Sequence, residues 1–568
     1  MRYGSNKGRG TRILRCIRRL TGMRSKPILL IAALSSAVLP LQTVQADTTA
    51  DEQKLLELRD TVINLVQALV QKGVLTREQA EQMIADAKAK AESEVAADTA
   101  LRKAQEEQDK GAVRVPYVPQ IVKDEIGKQV AAELGPSVKQ EVVSQINTEG
   151  TLRAALPDWM QRMTWTGDIR VRGEADNFGT ENATGEYLDF NAVNGAGGIV
   201  NAGVKAYLDT SEDVDRLRLR LRFGFDADFG DGWSGGVRLA TGSNGEIFVT
   251  TNQTLGTYGN GYTAAVDQGY LRRTDSWQSG GQVFTTTAGR FANPYLSTNM
   301  VWYNDLTFEG IASNYRFNLS ADNAHRKDLY LTFGAFPLAS ETPSSLDKWL
   351  AGAQVGTDLQ ADNGSRLRFG AAYYDYIHIV GKQNAPDSTL FNYTAPALLQ
   401  KGNTVYDISN STNPNVNLFA LAADYRIVDL LAVADLHTFS RYGVSLTTEA
   451  VRNVGYNAAD ILARTGTYVA PRINGYEVDL GFGRLPFGGA GTWRASAGYR
   501  YLQRDAVLDA FNDEDFHLGG TDTKGYLLNV DYAFNTHVWA RFKYMSANAI
   551  DGPPLAIDVL QLDLNAQF

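Results

Sequence analysis

The sequence has very little cysteine and histidine for its length. Its 568 residues include one cysteine, Cys16, and five histidines. A single cysteine excludes a disulfide framework and a cysteine metal site, and no histidine lies in a recognisable catalytic or metal motif. The residues therefore predict no catalytic site, no bound metal and no cofactor.

The chain also lacks any apolar run of the roughly 20 residues that a membrane-spanning helix requires. This excludes a membrane protein built from several such helices. Proline is scarce, with 16 residues against 53 glycines, and 44% of the chain is hydrophobic. These values argue against bulk disorder and leave room for several globular domains or one very large one.

The first 46 residues have the features of a leader that is removed on export. They contain nine Lys/Arg and no acid, with an apolar stretch at 27–41 and a small-x-small cleavage site at 44–46. We expect a signal peptide at 1–46, with Met23 as an alternative start; a membrane anchor is the other interpretation. Removing it takes nine Lys/Arg from the 55, which leaves 46 against 64 Asp/Glu and a net charge of −18. This charge argues against nucleic acid as a partner.

Residues 47–110 have the apolar spacing of a coiled coil. Steps of three and four form an a/d seam at Leu55, Leu58, Val62, Leu65 and Leu69. Gly73 ends this helix, and Thr76 is the predicted N-cap of a second. We expect a helical, coiled-coil periplasmic segment at 47–110 and a linker with short helices at 111–160. The apolar spacing at 47–110 is compatible both with a passive spacer and with a self-associating stalk.

From residue 161 onward the hydrophobic period changes to strict alternation. Residues 216–229 have leucine and phenylalanine at every second position and arginine between them. A strand places these two sets on opposite faces, because its side-chain period is two. The alternation recurs at 366–373, 493–501 and 538–544, which predicts a sheet with one apolar and one polar face.

These segments predict a transmembrane antiparallel β-barrel over residues 161–568. Short turns, at 231–232 and 363–364, alternate with long loops at 177–213, 379–415 and 441–474, as in outer-membrane barrels. The 406 residues from 163 to 568, at about 25 per strand and connection, give about 16 strands, with 16–18 compatible. Aromatic residues near strand ends are expected in the interfacial girdles: Trp165, Trp233, Trp302, Trp493, Tyr499 and Tyr501.

The end of the chain has the pattern of an assembly signal. Leu560, Leu562, Leu564 and Phe568 occupy alternate positions, with polar residues between them. This pattern resembles the carboxy-terminal signal by which bacterial outer-membrane barrels are recognised for assembly. It predicts the bacterial outer membrane as the location and its lipid as a partner.

Five stretches of the sequence resemble the putative porin family of Gram-negative bacteria. They are residues 61–84, residues 113–126, TNQTLG at 251–256, GRFANPY at 289–295 and WYNDLTFEG at 302–310. In that family a signal peptide and a short helical segment precede a large barrel. The resemblance implies an outer-membrane pore that forms a homotrimer, and it assigns no substrate.

A barrel of about 16 strands leaves a water-filled channel, which predicts passive diffusion of small hydrophilic solutes. Arginine at the lipid midplane costs about 2–4 kcal/mol, so the arginines of 216–222 must face the lumen. The candidate pore-lining residues are Arg216, Arg218, Arg220, Arg222, Asp226, Arg170, Arg172, Arg366, Arg368, Arg494 and Arg500. The row Arg216, Arg218, Arg220 and Arg222, called the arginine ladder below, is either a track for dipolar or anionic solutes or a set of wall-stabilising ion pairs. The loop 241–266, which includes Glu246, either constricts the pore or lies on the surface.

Other functional classes have less support. An enzyme would need a nucleophile with a base beside it, and no such motif is present. A plugged transporter would need a compact amino-terminal domain, which the helical segment does not resemble. The stronger alternative is a tether or adhesin, in which the barrel is an anchor and the helical stalk binds the cell wall, with peptidoglycan as its partner.

Overall fold

The computed structural model describes residues 162–242, 250–277, 282–320, 327–340, 346–439 and 441–568. The predicted leader at 1–46, the helical segment at 47–110, the linker at 111–160 and Glu246 lie outside these ranges. Among the helices of the described part, none has both the length and the apolar character needed to cross a bilayer.

Sixteen long strands of the described residues form one closed antiparallel sheet. These strands are β1 (Met163–Phe178), β2 (Val214–Gly230), β3 (Trp233–Thr241), β5 (Ala264–Trp277), β6 (Gln282–Ala292), β7 (Thr307–Asn318), β8 (Lys327–Ala339), β9 (Lys348–Gln360), β10 (Arg366–Ile377), β13 (Arg426–Leu436), β14 (Gly443–Asn453), β15 (Asn474–Gly483), β16 (Trp493–Leu502), β17 (Thr523–Ala533), β18 (Val538–Ala549) and β19 (Ala556–Gln567).

The loops contain the remaining short elements. They are the strands β4 (Gln253–Thr254), β11 (Val405–Asp407) and β12 (Phe419–Leu421), the helices α1 (Phe190–Ala196), α2 (Ile199–Ala202) and α3 (Ala458–Thr465), and four 3-10 turns (Gly203–Ala206, Asn392–Thr394, Asp509–Phe511 and Phe516–Leu518). β4 pairs with β2 at Arg218 and Leu219, where β2 extends beyond its pairing with β3.

The first and last strands close the barrel. β1 pairs antiparallel with β2, where Asp168 lies opposite Arg222, and with β19, where Asp168 lies opposite Gln567. A closed barrel leaves no unpaired edge, as a lipid environment requires. The predicted barrel class and the predicted number of about 16 strands are confirmed.

Along most of its wall the barrel has an apolar outer face and a polar inner face. On β1, Ile169 and Val171 are exposed on the outside, whereas Arg170 and Arg172 are buried within the lumen. The exposed apolar side chains of successive strands form the outer band that contacts lipid. Polar residues can therefore fill the interior without any cost of exposure to hydrocarbon.

The connections differ in length at the two ends of the barrel. At one end, called the turn end, every connection between strands has nine residues or fewer. At the other end, called the loop end, six of the eight connections have at least 14 residues. The expected loop at 441–474 is wrong in part, because β14 occupies residues 443–453. Thr448, on the outer face of that strand, interrupts the apolar series that begins with Val444 and Leu446 and conceals the alternation.

The last strand places the predicted assembly residues on the outside. Leu562 and Leu564 are exposed on the outer face of β19, Leu560, on the same face, is half-buried, and Phe568, directly after the strand, is exposed. The backbone of Phe568 exchanges two hydrogen bonds of 3.0 Å with Gly167 at the closure of the barrel. The recognition of Leu560, Leu562, Leu564 and Phe568 during assembly stays a prediction.

Candidate functional site

The connection between β6 and β7, residues 293–306, folds into the lumen and is called the infolded loop. Met300, Val301, Trp302 and Tyr303 are buried at its centre. The Trp302 ring lies 4.9 Å from that of Phe308, on the inner wall. Trp302 is therefore not a girdle residue, as alternation near a strand end predicted, but the centre of an apolar core inside the barrel.

A pair of glycines on the barrel wall makes room for this loop. Gly334 on β8 and Gly352 on β9 lie opposite each other and face the lumen. A Cβ at Gly352 would lie 2.3 Å from the Tyr295 hydroxyl oxygen, and one at Gly334 would lie 2.3 Å from the Phe336 ring. The absence of both side chains lets Tyr295 of the infolded loop pack against the wall.

Hydrogen bonds also fix the infolded loop to the wall. The backbone N–H of Thr298 donates to Glu449 of β14 at 3.0 Å, and the Thr298 hydroxyl donates to the same carboxylate. Gln354 of β9 accepts from the N–H of Leu296 and donates to its carbonyl, both at 2.8 Å. The loop is thus attached to two strands of the wall, β9 and β14.

A second loop, residues 503–522 between β16 and β17, packs against the infolded loop and is called the acidic loop. The N–H of Tyr303 donates to the carbonyl of Phe511, and that of Asp513 donates to the carbonyl of Asn299, both at 2.9 Å. The Phe511 ring lies 5.8 Å from that of Trp302. Together the two loops narrow the lumen to the part beside β1, β2, β10 and β13–β19.

The arginine ladder on β2 and the arginines of β1 face this remaining space. Their register places Arg170 opposite Arg220 and Arg172 opposite Arg218. Like charges at such positions repel each other, so the arrangement requires acids nearby. Glu174 pairs with Arg218 at 3.3 Å, and it supplies part of that negative charge.

Asp305 of the infolded loop lies where three arginines converge. Its carboxylate is 3.0 Å from Arg220, 3.5 Å from Arg222 and 3.8 Å from Arg170. Burial alone would raise the pKa of the Asp305 carboxyl, but the three guanidinium charges outweigh it and hold the pKa below its ordinary value. Asp305 therefore remains ionised and links the end of the infolded loop, next to β7, to the arginine wall.

The acidic loop contributes a second contact of this kind. Asp515 lies 3.1 Å from Arg172 and 3.6 Å from Lys543. Burial opposes its ionisation, but the charges of these two bases and of Arg170 hold the pKa of Asp515 well below its usual range. The neighbouring Glu514 differs, because burial and the charge of Asp515 raise its pKa.

A cavity of about 650 Å³ lies between the two loops and the charged wall. Seven of the eleven predicted pore-lining residues line it: Arg170, Arg172, Arg220, Arg222, Arg368, Arg494 and Arg500. The other four have partners elsewhere on the inner wall. Arg216 and Arg218 bind Glu174, Asp226 accepts from the Tyr270 hydroxyl, and Arg366 binds Asp358.

Several residues of the site were not identified from the sequence. They are Tyr303, Asp305, Asp513, Glu514 and Asp515, all on the two loops that enter the lumen. The apolar run at 300–303 was a usable signal, because a water-exposed loop has no reason to contain Met, Val, Trp and Tyr in succession. Part of the loop 241–266 also reaches the site, since the hydroxyl of Thr251 donates to Asp305 at 3.0 Å.

The sequence model of the family described as "Putative porin" matches residues 59–568. The chain belongs to this family of porins. Together with the closed 16-stranded barrel, membership indicates an outer-membrane channel, and porins are channels rather than enzymes. The porin thus has the fold and the location that the alternation of its strands and the resemblance predicted.

Solved structures with a similar fold include three outer-membrane proteins. OprB of Pseudomonas putida at high pH is 11% identical, with a TM-score of 0.41 over 72% of the porin and 95% of OprB. The outer membrane channel DcaP of Acinetobacter baumannii is 10% identical (TM-score 0.36; 72% and 98% covered). OmpF of Salmonella typhi, in complex with daunomycin, is 12% identical (TM-score 0.36; 72% and 97% covered). No curated protein sequence gives a significant match.

Proposed function

We propose that the porin conducts small hydrophilic solutes by passive diffusion, through the part of the lumen that the two loops leave open. The observation that carries the proposal is the cavity of about 650 Å³, which is lined by arginines of the wall and by Asp305, Asp513 and Asp515 of the two loops. Fixed charges of both signs around such a cavity produce an electric field across it. Such a field orients dipolar solutes and favours polar solutes over apolar ones of equal size.

The predicted pore-lining residues enter this proposal in two groups. The seven that line the cavity are proposed to contact passing solutes, and the other four are proposed to hold the wall. Arg216 supports the second role, because its guanidinium binds both Glu174 and Asp176, which are buried. The arginine ladder would then combine the two interpretations: all four arginines form ion pairs, and Arg220 and Arg222, which also line the cavity, would contact solutes.

Planar-bilayer recording of the purified, refolded protein tests the proposed function. We expect discrete conductance steps that grow in proportion to bulk salt concentration, because ions would cross in water without a saturable carrier step. Adding neutral polymers of increasing size should reduce the conductance until they no longer enter the channel. If correctly folded protein inserts and gives no steps, the porin is not an open channel and the tether hypothesis gains support.

The proposal extends to the assembly and to the residues before the barrel. A homotrimer with a periplasmic helical segment at 47–110, after removal of 1–46, is supported by the family resemblance and by the heptad spacing. Crosslinking of the full-length protein in native membranes should give a trimer, and mass spectrometry should find its amino terminus at Asp47. A strictly monomeric product would contradict the assembly.

The tether remains the second candidate function, and the a/d seam of the predicted helical segment at 47–110 is the observation that favours it. Peptidoglycan sedimentation distinguishes it from a passive spacer. The full-length porin should cosediment with purified peptidoglycan, whereas a variant lacking residues 47–110 should not. Equal sedimentation of the two proteins would exclude a tethering role for the segment.

A further inference from the structure

One hydrogen-bonded row of the barrel has charges of alternating sign on its inner face. Across neighbouring strands the row joins Arg494 to Asp531, Asp531 to Arg541, Arg541 to Asp563 and Asp563 to Arg172. Three positive and two negative side chains therefore follow one another around the wall from β16 to β1.

The row also climbs through the barrel. Arg494 is the second residue of β16 at the turn end, whereas Arg172 is the tenth residue of β1, near the middle of the wall. Strands tilted by about 35–45° and spaced about 4.8 Å apart raise such a row by about 3 Å at each strand. The row is therefore an oblique path that starts at the mouth of the turn end and reaches the constriction.

The first three members, Arg494, Asp531 and Arg541, are called the vestibule triad, and their exposure is unequal. The side chains of Arg494 and Arg541 are 43% and 37% exposed, whereas that of Asp531 is 3% exposed. The triad has two positive charges and one negative charge, and the negative one is the buried one. The surface that a solute meets at this point is thus cationic.

The geometry of the triad leaves donors free for a ligand. Asp531 accepts from Nε of Arg494 at 2.7 Å and from Nε and Nη2 of Arg541 at 2.6 and 3.1 Å. Within the described residues, Nη1 and Nη2 of Arg494 and Nη1 of Arg541 have no protein acceptor. The Phe487 ring, 4.9 Å from the Arg494 guanidinium, helps to hold that group in place. Fixed guanidinium groups with free N–H donors are suited to carboxylate and phosphate oxygens.

At the other end of the row, Arg172 already binds a carboxylate that enters from the lumen. Arg172 binds Asp563 through Nε at 2.7 Å, and its Nη1 donates to the Asp515 carboxylate of the acidic loop at 3.1 Å. One arginine of the row thus pairs with a carboxylate from the wall and with another that enters from the lumen. At the vestibule triad the wall carboxylate is present, and the lumen side is open to water.

We propose that the vestibule triad is an anion-binding site that makes the porin selective for small oxyanions, those with a carboxylate or a phosphate group. This inference rests on the proposed function, since it assigns a solute class to that channel. Anions are concentrated at the turn-end mouth by Arg494 and Arg541 and are then passed along the row toward Arg172.

Reversal potentials across a KCl gradient test the inference. The unmodified porin should prefer chloride to potassium, and Arg494→Gln with Arg541→Gln should lower the chloride-to-potassium permeability ratio about fivefold or more. Each unit charge about 4 Å from an ion in water alters its local concentration by about fivefold, and salt screening reduces this. Asp531→Asn should raise the ratio, and Arg494→Lys with Arg541→Lys should keep it near the unmodified value.

Arg273→Gln is the matched control. Arg273 lies near the same end of the barrel on the outer face, is 35% exposed and is paired with Asp275, so its loss should leave the ratio unchanged. Acetate and inorganic phosphate are then added separately to distinguish the two oxyanion classes. Either should reduce chloride current in the unmodified porin and not in the double glutamine variant.

Three outcomes would overturn the inference while normal conductance steps preserve the proposed function. They are a preference for potassium, an unchanged ratio in the double glutamine variant, and no reduction of current by either oxyanion. The lysine variant and Asp531→Asn keep the test valid if the glutamine variant fails to fold. An absence of any conductance in the unmodified protein would instead overturn the proposed function and this inference with it.

Discussion

Replacing Trp302 with alanine is expected to enlarge the conductance of the porin without unfolding the barrel. Trp302 is 2% exposed, and its ring lies 4.9 Å from Phe308 and 5.2 Å from Tyr374. Removing a buried tryptophan costs about 3–5 kcal/mol of packing. The loss destabilises the packing of the infolded loop against the wall and not the barrel itself, because the strands are held together by their own hydrogen bonds. We expect larger and noisier single-channel steps.

Trp165→Ala provides the control for this prediction. Trp165 lies on the outer face of β1 and packs against Phe223, with ring centroids 5.5 Å apart. Its removal should affect insertion or stability and leave the conductance of each channel unchanged. Limited proteolysis should cut the infolded loop in the Trp302 variant alone. Unchanged conductance with a protease-resistant loop would show that Trp302 does not hold the constriction.

Replacing Asp305 with asparagine is expected to give the largest change in ion selectivity of any single substitution in the infolded loop. Among the described residues, Asp305 and Asp168 are the two acids whose carboxylates lie within 4.0 Å of the guanidinium groups of Arg170, Arg220 and Arg222. Losing one of the two acids doubles the local net positive charge from one to two. The chloride-to-potassium permeability ratio should therefore rise, by about fivefold for one unit charge at 4 Å in water.

The pH dependence of this difference follows from the pKa of Asp305. Because three arginines hold that pKa below its ordinary value, the carboxylate is charged in the folded porin at pH 5 as well as at pH 7. The two proteins should thus differ equally at both pH values. Glu212→Gln, at an exposed position of the loop between β1 and β2, is the control for loss of a distant charge. Equal ratios in Asp305→Asn and the unmodified porin would place Asp305 outside the ion path.

The barrel could be predicted from the sequence because its strands have an unmistakable period of two. A residue such as Arg218 between Leu217 and Leu219 has only one side on which it can lie in a membrane. Where the outer face is less apolar, as at Thr448 of β14, the same logic fails, and a strand was interpreted as part of a loop. The alternation of apolar and polar residues predicts a strand only where contact with lipid requires one face of that strand to be apolar.

The constriction could not be predicted, because its contacts join residues that are far apart in the sequence. Arg172 and Asp515 are 343 positions apart, and nothing near either residue specifies the other. The sequence showed that the arginine ladder must face inward, and it left open whether the ladder is a track for solutes or a set of wall-stabilising ion pairs with acids that the sequence did not identify. The structure identifies two of these acids, Glu174 on the wall and Asp305 on the infolded loop.

Chemical modification of a single cysteine tests most directly that water and ions pass beside the infolded loop. Cys16 is the only cysteine of the chain and lies in the predicted leader, so Asn304→Cys would give the exported porin one thiol. Asn304 is exposed and lines the cavity. Val204→Cys, on the outer loop between β1 and β2, is exposed as well and serves as the control. We predict that an anionic thiosulfonate lowers the current through Asn304→Cys channels in discrete steps and leaves Val204→Cys channels unchanged. Complete modification of Asn304→Cys, shown by mass, with no change in current would contradict the account.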